Sequence, residues 1–335
     1  MLTLTKPEAL PLSEPGAYDL TAEQYHADPC PVPSLSNSVA KILLDSSPRK
    51  AWFSHPRLNP NQEADESSRL DLGTAAHAMM LGKGRDMVVV EADDWRTKAA
   101  KAERDAARAE GKTPILEKDH KRACAMIAAA RAQLAHIEGA EDAFLTTAGE
   151  PEMVLAWKDA AGPWCRTMID WTQFDPRGPI VYDYKTTQAS ANPAAIGRTV
   201  ANLGYEVQAA FIERGFCHLF PGTAGRLTFR FVFQEIDPPY LLSVIELDAA
   251  GLSIGRKKVA YAIDVWGRCI TTGNWPGYPS KIATVEYPAF AENAWLAREL
   301  REDDMRAGGM DPLLMLAPWR PDEPAKPVQF ERIVP

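Results

Sequence analysis

The fold is decided by WCRTMIDWTQFDPRGPIVYDYKTT, residues 164–187. Apolar and polar residues alternate on both sides of Asp175-Pro-Arg-Gly-Pro179, whose prolines and glycine punctuate a turn. One step upstream, Met153-Val-Leu-Ala-Trp157 repeats the period-two pattern and Asp159-Ala-Ala-Gly-Pro163 supplies a second turn. The three runs predict an antiparallel three-strand meander. Downstream, the patterns predict a helix over about 193–216, strands over 227–235 and 240–247, and a long helix over about 252–272. The order α–β–β–β–α–β–β–α makes the chain α/β (α+β), with a mixed central sheet flanked by helices.

Upstream of the meander the sequence is mostly helical. Ser34 or Ser36 can cap a helix reaching about residue 44, and Pro48 opens a short second one. Residues 59–68 read as a polar loop, 70–81 as a small-residue helix, 95–109 as an Ala-rich charged stretch and 118–137 as an amphipathic helix. Residues 1–33, with six prolines, are expected to be an irregular lead-in with one short turn over 21–26. A tail from 278 to 335, rich in proline and charge, reads as a partly disordered appendage. The expected domain is therefore 34–277, with a helical part at 34–148 and a catalytic sheet core at 149–277.

The meander also carries the chemistry. Asp183 and Lys185 are two apart on one strand and share a face, and Asp170 stands across a hairpin from them. Glu152 opens the first strand. Several carboxylates held together are costly unless a divalent cation neutralises them, and hard oxygen ligands suit Mg2+ or Mn2+. A nearby ammonium would stabilise charge on a scissile phosphodiester. D-x-K on a strand is by itself common, and Trp157, Trp164, Trp171 and Tyr184 read as packing residues rather than base-stacking platforms.

Four motifs in order, Leu72-Gly-Thr-Ala-Ala-His77, Cys165-Arg-Thr-Met-Ile-Asp-Trp171, Asp183-Tyr-Lys-Thr-Thr187 and Gly204-Tyr-Glu-Val-Gln-Ala-Ala-Phe211, make the chain resemble the PD-(D/E)XK nuclease superfamily. Within it the chain is similar to the RecE-like (exodeoxyribonuclease VIII-type) branch carried by phages and prophages. Tyr25-His-Ala-Asp28, Leu35-Ser-Asn-Ser38 and the stretch from Trp95-Arg-Thr-Lys98 to Gly111-Lys-Thr-Pro114 extend the likeness over roughly residues 20–275. The resemblance implies a restriction-endonuclease-like core, Asp170 and Asp183 as metal-binding carboxylates, Lys185 as the catalytic lysine and His77 in the metal shell. It also places Glu152 at the acidic position of the first strand and Gln208 near the scissile phosphate, although Gln208 is equally an ordinary helix residue. Ile212 stands where a related helix motif, Q-x-x-x-Y, has tyrosine.

The implied activity is metal-dependent exonucleolysis of linear duplex DNA ends, 5′ to 3′, leaving single strands for recombination. Two alternatives stay open: a non-catalytic DNA-binding scaffold, and an endonuclease or single-strand nuclease on the same fold. A single-strand annealing protein and a homo-oligomer fit the resemblance, but no residue displays either.

The charge balance at first opposes a nucleic-acid partner. The chain has 335 residues and a net charge of −8. Residues 1–28, however, hold Lys6 against five acids, and 285–335 hold six bases against ten acids, so the region between is neutral overall. Within it Lys41, Arg49, Lys50 and Arg57 face one acid, Asp45, and Arg96, Lys98, Lys101 and their neighbours up to Lys112 form a second basic stretch. Each is read either as a phosphate track or as a solvated helix face. The five cysteines, odd in number and widely scattered with no C-x-x-C pair, argue against a zinc knuckle, a disulfide framework and an iron–sulfur cluster. With neither a membrane span nor a secretory signal in the sequence, the expected location is the cytoplasm of a bacterium or phage-infected host.

Overall fold

The computed structural model describes residues 4–59, 72–84 and 86–316. Most of the polar loop over 59–68, the start of the 70–81 helix and the tail beyond 316 lie outside the described residues. Strand β1 (Gly16–Asp19) and helix α1 (Ala22–His26) come first, then strand β2 (Leu35–Ser36) and helices α2 (Asn37–Asp45), α3 (Pro48–Phe53) and α4 (Leu72–Leu81). Strands β3 (Met87–Val90) and β4 (Thr113–Leu116) bracket α5 (Lys98–Ala109), and α6 (Glu117–Leu134) leads into the meander. Its strands are β5 (Gly149–Lys158), β6 (Trp164–Asp175) and β7 (Gly178–Thr187). Helices α7 (Pro193–Asn202) and α8 (Tyr205–Leu219) precede β8 (Thr228–Glu235), β9 (Leu242–Glu246) and α9 (Ala249–Thr272). These elements belong to one compact unit ending at Tyr278; a second begins at Pro279 and contains α10 (Ala289–Ala307).

Helix starts follow local chemistry. Ser36 accepts a hydrogen bond from the Val39 N–H, and Thr21 and Gln24 form a reciprocal capping box. The helix expected over 193–216 is two helices, because Gly204 adopts φ +61° and turns the chain between α7 and α8.

The central sheet has seven strands in the order β1-β5-β6-β7-β8-β9, with β2 added alongside β6. The meander is antiparallel, β7 and β8 are parallel, and β8 and β9 antiparallel, so the sheet is mixed. A parallel pair, β3 with β4, stands apart. On one face of the sheet, Met153, Leu155, Ile169, Val181 and Phe231 pack with Val39 of α2, Phe211 of α8 and Trp266 of α9. On the other, Trp171, Tyr182, Tyr184 and Val232 pack with Ala76 and Met80 of α4 and Met126 of α6.

One expectation changes here. The lead-in is not irregular throughout: β1 pairs with β5, and Leu12, Tyr18, Leu20 and Tyr25 cover Val154, Ala156 and Trp164. Prolines terminate these segments without preventing a four-residue edge strand. In the tail, α10 is a helix of 19 residues with acidic Glu292 in its first turn and basic Arg306 in its last, as the helix dipole favours.

The meander then does something periodicity does not reveal. The β6–β7 ladder runs from Asp175 and Gly178 to Trp171 and Tyr182 and stops. Beyond that point β6 is flanked by β2 instead, through Leu35 with Cys165 and Ser36 with Arg166. The β5–β6 ladder skips one pair, Glu152 and Asp170, where Glu152 takes φ +50°. Ile169 and Trp171, two apart on β6, consequently enter different cores. The sheet forks at Asp170 and Asp183.

Candidate active site

The fork frees Asp170 and Asp183 from the ladder bonds that would otherwise fix their backbones to each other. Asp170 is held from β7 and α4 instead: its Oδ2 accepts the Tyr184 N–H at 3.0 Å and lies 3.0 Å from His77 Nε2. The small residues Gly73, Ala75 and Ala76 let α4 approach the sheet, and Ala75 and Ala76 are buried. On β7, Asp183 and Lys185 alternate with Tyr182 and Tyr184 and therefore face α8. Gln208 of α8 donates to Asp183 Oδ1 at 2.6 Å, and Lys185 Nζ lies 2.5 Å from Oδ2.

The two carboxylates are pushed apart in acidity. Burial opposes ionisation of Asp170, but the charge and hydrogen bond of His77, then Lys185 and the Tyr184 N–H, hold it below the usual carboxylate range. Burial, with the Asp170 charge and against the pull of Lys185, pushes Asp183 up to about 6. For Lys185, burial disfavours the ammonium, yet Asp183 and Asp170 outweigh it and raise the pKa, so it stays protonated. His77 is likewise raised, because Asp170 overcomes the cost of burying its charge. Glu152 is raised by burial, and its neighbours include His77 and Asp170.

This donor set fits a hard divalent cation. Among the described residues, no cluster of three or more His, Cys, Asp or Glu side chains is already drawn around one point. Yet Asp183 Oδ2 is buried with the Lys185 ammonium, at 2.5 Å, as its partner. The ammonium occupies the place on that oxygen that a cation would take. Asp170 and Asp183 are the residues that could hold Mg2+ or Mn2+, with His77 and Glu152 adjoining.

The basic residues have diverse placements. Lys41 of α2 is half-buried, donates to the Leu203 carbonyl at 3.1 Å, and is lowered in pKa by burial and the Lys185 charge. Arg49 lies against Gly277, and its backbone N–H bonds Pro276. Lys50 faces Tyr278. The Arg57 guanidinium bonds the carbonyls of Cys30 and Pro31 at 2.5 and 3.3 Å, so it is engaged in tying down the lead-in. Arg96, Lys98 and Lys101 are exposed at the start of α5, with Arg96 3.5 Å from Asp94. Lys41 is therefore the one of these seven tied by charge to the carboxylate cluster.

Tyr205 is the site residue that sequence reasoning assigned no role. Its ring centroid is 5.5 Å from Lys185 Nζ and 5.4 Å from Lys41 Nζ. A signal existed: Tyr205 is three residues before Gln208 and shares its helix face. Ile212, at the position where a tyrosine was expected, is buried in the core.

The chain matches the family model described as "PDDEXK-like domain of unknown function (DUF3799)" over residues 51–288. No curated protein matches. Among solved structures it is similar to one described as "Putative exonuclease" from Eubacterium rectale, with 14% identity and a TM-score of 0.48 over 81% of this chain and 96% of that one. It also aligns with a structure described as SSO0001 at 14% identity and a TM-score of 0.21, covering 56% of this chain and 84% of that one.

Proposed function

Because the chain belongs to the PDDEXK-like family, we propose that it is a divalent-cation-dependent deoxyribonuclease acting on the ends of linear duplex DNA. The observation that carries this reading is the fork, where Asp170, Asp183 and Lys185 converge and buried Asp183 Oδ2 is held only by the Lys185 ammonium. Asp170 and Asp183 would hold Mg2+, which supplies Lewis acidity and charge neutralisation when bound. Gln208 grips the other oxygen of Asp183 and so presents Oδ2 to the cation. His77 and the Tyr184 N–H orient Asp170.

In the metal-free site Asp183 and Asp170 keep Lys185 protonated, and as an ammonium it would stabilise the negative charge that builds on the phosphodiester. Exonucleolysis 5′ to 3′, yielding single strands for annealing in recombination, rests on the resemblance of the motifs to the RecE-like branch. The same resemblance supports phage or prophage origin. Among the described residues no helix is long and apolar enough to cross a membrane.

The test is digestion of end-labelled linear duplex and covalently closed circular DNA over a magnesium titration, with wild type and Lys185→Ala. Magnesium-dependent loss of the linear substrate alone, abolished by the variant, is the expected result. Equal cutting by Lys185→Ala would remove the site assignment, and cutting of the circle would replace exonuclease by endonuclease.

A further inference from the structure

Two ammonium groups share one aromatic ring beside the carboxylates. Lys185 Nζ and Lys41 Nζ come from different elements, β7 and α2, yet both lie within cation–π distance of the Tyr205 ring. The ring is itself fixed: it stacks on Phe231 at 5.4 Å between centroids and packs on Phe233 at 5.8 Å. Gly204, at φ +61°, sets the start of α8 and with it the place of Tyr205; a Cβ there would stand 3.2 Å from the Lys41 side chain. Lys41 is also tethered through Leu203 in the same turn.

Like charges are not gathered at one point without a reason, and here the reason is the anion the site is read as binding. Lys185 now leans on Asp183. That contact competes with any cation Asp183 accepts, so a lysine held only by its carboxylate would lose its anchor whenever the site is loaded. The Tyr205 ring offers an attraction that neither neutralises the ammonium nor competes for the carboxylate.

We propose that Tyr205 is a positioning residue that holds Lys185 and Lys41 as a two-lysine clamp for the phosphodiester. Lys185 serves the reacting phosphate and Lys41 contributes charge to the same backbone. The inference rests on the nuclease reading and extends it to a residue on α8 for which the D-x-K motif makes no provision.

The experiment uses the full chain labelled with 13C-lysine, and the variants Tyr205→Phe and Tyr205→Leu. In metal-free protein, the ε-methylene resonances of Lys41 and Lys185, assigned through Lys→Arg variants, should be displaced upfield by the ring. The displacement should persist in Tyr205→Phe and vanish in Tyr205→Leu. Single-turnover cleavage of linear duplex at saturating enzyme should stay within about twofold of wild type in Tyr205→Phe and fall about tenfold in Tyr205→Leu. Duplex affinity measured in EDTA should weaken for Tyr205→Leu and for Lys41→Met. If Tyr205→Leu matches Tyr205→Phe in the resonances and in cleavage, the clamp is overturned. Should wild type cut no DNA, the nuclease reading fails by itself, and the resonances and metal-free affinity still decide whether Tyr205 holds the lysines.

Discussion

The molecule contains two clusters built from the same kinds of side chain, and they differ in what is left over. In one, Asp28 is surrounded by His55, Arg166 and Ser34, and all of its oxygen capacity is spoken for. Oδ1 accepts Ser34 Oγ at 2.6 Å and is paired with Arg166 at 3.0 Å; Oδ2 accepts the Ser34 N–H at 2.9 Å and lies 3.2 Å from His55. The Asp28 and His55 side chains are fully buried, and Arg166 also bonds the Tyr25 and Ser34 carbonyls. The other cluster, at the fork, has its own His77, Lys185 and paired aspartates, but one carboxylate oxygen is held by a lysine ammonium alone and the cluster keeps a partly exposed face. A closed cluster uses charge to join segments, here the lead-in to β6 and α3. An open one keeps charge available for a ligand.

The strongest way to break this comparison is to remove one carboxylate at the fork. Asp183→Asn should lower the cleavage rate by about a thousandfold or more while changing the free energy of urea unfolding by less than about 1 kcal/mol. A large loss of stability with proportionate loss of activity would place the fork in the same class as the Asp28 cluster.

The closed cluster should respond in the opposite manner. Arg166→Met leaves Asp28 buried without its cation and should cost about 3–5 kcal/mol in urea unfolding, with cleavage per folded molecule unchanged at low temperature. Adding Asp28→Asn should recover part of that cost, because an uncharged amide needs no counter-charge. No recovery in the double variant would show that Arg166 acts through packing rather than through Asp28.

Acid separates the two clusters further. Burial works against ionised Asp28, but the His55 hydrogen bond, the Arg166 charge and Ser34 more than offset it and depress its pKa. A depressed carboxylate contributes stability that is fully present above the unfolded value, about 3.9, and is lost as pH falls through the lower folded value. Asp183, pushed up to about 6, must be ionised to hold a cation, so Mg2+ affinity should fall as pH drops through about 6 while the fold persists. Calorimetric Mg2+ titrations from about pH 5 to 8 and thermal melts carried down to about pH 2 check both windows. Coincident loss of Mg2+ binding and stability would contradict the separation.

What the sequence displays and what it conceals follow from range. Asp183 and Lys185 are legible because two residues on one strand share a face whatever the fold does. The meander is legible because turns and alternation are local. The fork is not, because β6 exchanges β7 for β2, a strand more than a hundred residues upstream, and nothing in the run over 164–175 marks the exchange. Arg166 lies inside the motif over 165–171, yet its partner Asp28 is far away in sequence, so its structural role is invisible locally. Tyr205 was within reach by helix spacing from Gln208, but the second lysine on its ring comes from α2 and required the tertiary fold.

The finest discrimination concerns backbone strain, since each cluster adjoins an acidic residue in the left-handed region: Asp28 at φ +63° and Glu152 at φ +50°. Asp28 is compensated locally, because its own carboxylate accepts the Cys30 N–H at 3.3 Å and the Ser34 N–H at 2.9 Å, bonds a short side chain can make to a nearby turn. Glu152 lies at the skipped pair opposite Asp170, and burial raises its carboxyl pKa. A non-glycine residue held this way costs about 1–2 kcal/mol, part of which glycine returns through its greater freedom in the unfolded chain. Glu152→Gly should therefore raise stability by up to about 1 kcal/mol and lower cleavage, whereas Asp28→Gly, which removes the bonds that repay the strain, should destabilise. Glu152→Gln is the control that keeps the strain and removes the charge, and it should lower cleavage without the gain in stability. Destabilisation by Glu152→Gly would mean that its side chain, like that of Asp28, holds the fold together, and the contrast between the clusters would end at Asp170.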